Sequence, residues 1–67
     1  MIESLPRDEV TIERNGCKRK VRTTHVLFLD VLGADGRPTG QRGQYLGIGV
    51  TDERGFEFYI QREDIVT

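Results

Sequence analysis

Glu9 to Thr23 reads EVTIERNGCKRKVRT, and this stretch decides the fold class. Before the Asn15-Gly16 pair the residues alternate: Val10 and Ile12 point one way, Thr11 and Glu13 the other. A period of two belongs to a strand with one covered face. Asn-Gly is the pair that a two-residue type I′ turn favours, because both central residues need positive φ. Cys17 to Thr23 is then the returning strand, and a loop of two residues fixes its register. Facing residues sum to 31, as 15 and 16 do, so Val10 meets Val21, Ile12 meets Arg19, and Glu13, Thr11 and Glu9 meet Lys18, Lys20 and Arg22. Two of those three outward pairs join opposite charges, each stabilising by a few tenths of a kcal/mol at most.

Outward from the hairpin the chain keeps reading as strand. His25 to Leu32 (HVLFLDVL) is apolar on both faces, as a strand covered on each side would be. The β-branched entry at Thr23-Thr24, the shortness of the run and the Gly33 stop favour strand over helix. Gly33 to Gly43 (GADGRPTGQRG) reads as a long Gly-rich loop. Gln44 to Thr51 alternates again, with Leu46, Ile48 and Val50 on one face and Gly47 and Gly49 on the other. Asp52 to Gly55 is a hairpin loop whose Gly suits a left-handed position. Phe56, Phe58 and Ile60 follow at strand spacing, then a tight turn at Arg62-Glu63-Asp64 and a last fragment, Ile65-Val66.

These elements make the chain all-β: a small five-stranded antiparallel barrel or meander of SH3-like or Sm-like type. One domain is expected over residues 1–67, with 1–8 an irregular lead-in marked by Pro6 and 9–67 the barrel. The expected core is Val10, Ile12, Val21, Leu27, Leu29, Leu46, Ile48, Val50, Phe56, Phe58 and Ile60. A domain of 67 residues buries only about 60 % of its unfolded surface, so its stability is marginal without help.

Composition narrows where that help comes from. Cys17 is the only cysteine and His25 the only histidine, which leaves no disulfide and no four-ligand zinc site. The expectation is a domain without cofactor or metal, in a reducing, cytoplasmic setting. No run reaches the length of a membrane span, and the first residues do not read as a signal peptide. Self-association is the remaining route to stability, most simply as a homodimer.

The stretch Leu46 to Val66 (LGIGVTDERGFEFYIQREDIV) slightly resembles the end of the carbon storage regulator family of RNA-binding dimers. The likeness lies in a strand ending Ile-Gly-Val and a later strand running into Arg62-Glu63-Asp64-Ile65. It covers under a third of the chain. The family's opening apolar strand is replaced here by the Pro6 lead-in, and its C-terminal helix has no counterpart. The same ending is equally similar to Sm-like and SH3-like barrels.

No nucleophile, base and oxyanion donor come together in the sequence, so no catalytic residue is named and no enzyme is expected. The acids Asp52, Glu53, Glu57, Glu63 and Asp64 fall in turns or on a solvent face. Gly47 and Gly49 lie within a strand with no helix following, so they make no phosphate loop. Two binding surfaces are named. The first is protein-facing: Val26 and Phe28, pointing away from the core side of Leu27, Leu29 and Val31, need a cover, from Ile2 and Leu5 or from another chain. The second serves RNA or single-stranded nucleic acid: Lys18, Arg19, Lys20 and Arg22 on the hairpin, Arg37 and Arg42 on the loop, and Tyr45 as a stacking ring. A net charge of −1 weighs against the second. The favoured expectation is a non-catalytic protein-interaction or regulatory module that binds its own copy.

Overall fold

The computed structural model describes residues 1–66; Thr67, the last residue of the expected domain, lies outside them. The chain is all-β, with strands β1 (Ile2–Ser4), β2 (Glu9–Arg14), β3 (Cys17–Leu32), β4 (Pro38–Thr51) and β5 (Glu57–Ile60), and one 3-10 turn (Arg62–Asp64). They form a single five-stranded antiparallel sheet that is not closed, in the order β1-β3-β4-β5, with β2 also paired to β3. Leu27 pairs with both Ile2 and Gly47, and Arg22 with both Glu9 and Thr51, so β1 and β2 lie end to end along one edge of β3 and β4 along the other.

The β2–β3 hairpin has the expected register at all six pairs, from Glu9 with Arg22 to Arg14 with Cys17. Asn15 and Gly16 hold φ of 54° and 79°, as a type I′ turn requires. The lead-in is not irregular: residues 2–4 form β1, in register with His25 to Leu27. Between β1 and β2 the chain turns over Thr23, one of the few buried residues. Its hydroxyl donates to Pro6 O at 2.7 Å and its amide to Asp8 O at 3.1 Å.

The expected loop at 33–43 is mostly strand. Gly33 accepts from Gly36 N and donates to Arg37 O, which closes the turn within five residues, and β4 begins at Pro38. Glycine and proline density misleads here because only Gly33 and Gly36 serve the turn, while Gly40 and Gly43 lie within an irregular strand: β4 carries extra residues relative to β3 along the arm, and Gly40 has φ of 84°. The outcome is a long β3–β4 arm. The radius of gyration is 14.0 Å, against about 11 Å for a compact domain of this length.

The core is small. Ile12, Val21, Val50 and Ile60 are buried, with Val10, Ile48, Phe58 and Ile65 packed against them. An antiparallel bridge joins Ile12 to Ile65, and Val66 N donates to Thr11 O at 2.9 Å, so the end of the chain returns to β2 across the inner face.

Three expected core residues are exposed: Leu29, Leu46 and Phe56. The first follows from a bulge. Thr23 pairs with Val50 but His25 pairs with Gly49, so Thr24 is an extra residue in β3. One extra residue flips every later side chain. Val26 and Phe28 therefore turn inward beside Ile48 and Tyr45, while Leu27, Leu29 and Val31 turn outward, the reverse of the expected facing. Leu46 is the extra residue of a second bulge, between the Leu27–Gly47 and Phe28–Tyr45 pairs. Phe56 precedes β5 and closes the Asp52 turn, its amide donating to Asp52 Oδ1 at 2.9 Å.

Candidate binding surfaces

The basic residues named from the sequence do not converge. Lys18, Arg19 and Lys20 border a concavity completed by Asp52, Glu53, Arg54 and Phe56; Lys20 and Arg22 border a second with Arg7, Glu9, Asp52 and Glu53. Arg37 sits at the arm's turn, and Arg42 and Tyr45 lie on the arm itself. From Arg22 to Asp30, the strand partner of Arg42, is roughly 26 Å of extended chain. Opposite neutral Thr11, the Lys20 ammonium instead lies 3.8 Å from Glu9, diagonally across the hairpin. Both side chains are well exposed, so the pair stabilises little. Cys17, at the hairpin end, is exposed.

The four residues named as a protein interface divide between two faces. Ile2 lies on the outer face opposite Leu27, is 61 % exposed, and extends into a stripe with Leu29, at 48 %, and Val31. On the same face His25 stands over Gly49. Its ring is joined through Nδ1 to Thr24 Oγ1 and through Nε2 to Tyr59 OH, each at 2.9 Å, and meets the tyrosine ring edge-on. The sequence offered no sign of this trio, because the Thr24 bulge that aligns His25 with Tyr59 has no residue signature.

Val26, Phe28 and Leu5 share instead an inner concavity where the arm leaves the core, about 350 Å³ in volume. Glu3, Arg42, Tyr45, Ile48 and Arg62 line it too. Two arginine-on-aromatic units stand side by side there. Arg42 lies 5.4 Å from the Phe28 ring centre, and Arg62 lies 5.2 Å from that of Tyr45, within the range of cation–π attraction. The two rings meet edge-on at 6.3 Å.

Arg62 is held in place by the 3-10 turn. Gln61 N donates to Asp64 Oδ2 at 2.9 Å, and Gln61 Nε2 donates to Leu46 O at 2.8 Å, the carbonyl of the bulged residue. The turn is thereby fastened to the bulge beside Tyr45. Arg42 Nη2 donates to Glu3 Oε1 at 2.6 Å, whereas Arg62 has no carboxylate partner among the described residues. The Tyr45 hydroxyl is buried and makes no hydrogen bond among the described residues. Such an unmet donor costs about 1–3 kcal/mol.

No helix among the described residues is long and apolar enough to cross a membrane. Compared with known protein families, characterised proteins and solved structures, the chain finds no match in any of the three.

Proposed function

We propose that this chain is a non-catalytic binding module of SH3-like or Sm-like architecture that works through protein contact, beginning with its own copy. The strand order and the return of Ile65 to β2 support that architecture. The observation that carries the function is the outward apolar stripe of Ile2, Leu27, Leu29 and Val31. It runs from β1 onto a two-stranded arm with no second layer over it among the described residues. A ribbon of two strands is marginal by itself in water, and four buried hydrophobic side chains among the described residues are a small core. Pairing two copies through the stripe supports both.

Size-exclusion chromatography with light scattering tests this. The expected species has twice the 7.7 kDa chain mass, and Leu29→Asp returns it to one chain. A wild-type protein that stays at a single chain mass at micromolar concentration overturns the reading.

A second reading, binding of single-stranded nucleic acid, draws on Phe56, 65 % exposed among Lys18, Arg19, Lys20 and Arg54. Cationic side chains around a free ring suit base stacking, although Asp52 and Glu53 share the same concavity. Its test is a gel shift with oligouridine that weakens as salt rises and is lost in Phe56→Ala.

A further inference from the structure

The inner concavity at the root of the arm repeats one arrangement twice and fills it once. Arg42 lies over Phe28 and donates to the Glu3 carboxylate at 2.6 Å. Beside it, Arg62 lies over Tyr45 at nearly the same distance and donates to no carboxylate among the described residues. The Tyr45 hydroxyl, a second donor at the same spot, is buried without an acceptor among the described residues. A charged donor held over a ring by a pinned turn, next to an unmet neutral donor, suits an anionic acceptor. The rest of the lining is aliphatic: Leu5, Val26 and Ile48.

We propose that this concavity binds a carboxylate side chain carried on an acidic, extended segment of a partner protein. Arg62 and the Tyr45 hydroxyl receive the carboxylate, and Leu5, Val26 and Ile48 receive an aliphatic neighbour. Glu3 with Arg42 is the chain's own copy of the contact. Arg62 is exposed, so a carboxylate can reach its guanidinium beside the Tyr45 ring, and a small side-chain rearrangement there opens the buried hydroxyl. A phosphate backbone would need a run of cations to follow, and the hairpin lysines are too far along β3 to make one continuous basic track with Arg42.

The proposal rests on the protein-binding reading and uses the opposite face from the self-association stripe, so the two fail separately. The experiment is fluorescence anisotropy with the Leu29→Asp protein and a labelled, end-blocked Ala-Val-Glu-Val-Ala peptide, its Gln counterpart, and a uridine octamer. The Glu peptide should bind, and the Gln peptide should bind roughly tenfold more weakly, the effect of losing one charge-assisted hydrogen bond. Arg62→Gln should weaken the Glu peptide by a similar factor. Tyr45→Phe, which keeps the ring and removes only the hydroxyl, should weaken it severalfold, and Lys20→Gln should change nothing. Circular dichroism of each variant confirms that it is folded. Equal binding of the two peptides, no binding of the Glu peptide at millimolar concentration, an Arg62→Gln protein that binds normally, or displacement of the peptide by the uridine octamer each overturns the site.

Discussion

Gly49 lies directly beneath the His25 ring. The two are strand partners across β3 and β4, and a β-carbon on residue 49 would come closer than 3.0 Å to three ring atoms. Glycine at this position lets the imidazole lie over the strand and reach Thr24 and Tyr59 together. Gly49→Ala should therefore expel the ring and destabilise the fold by about 1–3 kcal/mol in urea unfolding. Made on a His25→Ala background, the same change should cost much less, since the clashing group is gone. Equal costs on the two backgrounds would show that the ring is not what excludes a side chain there.

The buried set is narrower than the apolar pattern, and mutational costs should follow burial. Ile60 is 1 % exposed at the centre of the core, so Ile60→Ala should cost about 2–5 kcal/mol. Phe56 is 65 % exposed, so Phe56→Ala should stay within about 0.5 kcal/mol of wild type. Chemical denaturation of the pair checks the order directly. A Phe56 variant as damaging as the Ile60 one would mean that Phe56 is covered in solution.

Where a signal was local, the sequence carried it. The Asn15-Gly16 turn fixed six pairs of β2 and β3, and Gly55 marked its hairpin with φ of 87°. Where facing depended on a bulge, the pattern inverted. Thr24 adds one residue to β3, and every side chain after it was assigned to the wrong face, from Val26 to Val31. That inversion carries into the candidate surfaces: Phe28, outward by alternation alone, instead helps line the inner concavity. In the sequence Arg62 shows only as part of a turn, because its place beside Tyr45 depends on Gln61 reaching the bulged Leu46 carbonyl across 15 residues of chain.

The hairpin turn offers a purely backbone test. Gly16 has φ of 79°, and a β-carbon there would touch nothing within 4 Å. Gly16→Ala should thus cost about 1–2 kcal/mol from the left-handed backbone alone. Asn15→Gly, at φ of 54°, should be tolerated to within about 0.5 kcal/mol. Thermal melts of the two variants separate them. If Gly16→Ala melts with wild type, the turn has adopted another geometry.

Gly43 controls the arm. A β-carbon there would fall 2.5 Å from the carbonyl oxygen of Leu29. That atom is main chain, so Gly43→Ala must push β4 away from β3 rather than turn a side chain aside. Beyond Phe28 no third strand among the described residues supports this ribbon, and a two-stranded segment opens at low free-energy cost. Amide exchange should accordingly quicken across residues 29–43 in the variant, while the Ile12, Val21 and Ile60 amides keep their protection. Gly40→Ala, where a β-carbon meets nothing within 4 Å despite φ of 84°, should strain the turn side of the arm without separating the strands at Leu29. Because Leu29 belongs to the proposed self-association stripe, Gly43→Ala should also shift light scattering toward the single chain, and Gly40→Ala should do so much less. Faster exchange over the whole chain instead would mean that arm and core unfold as one unit.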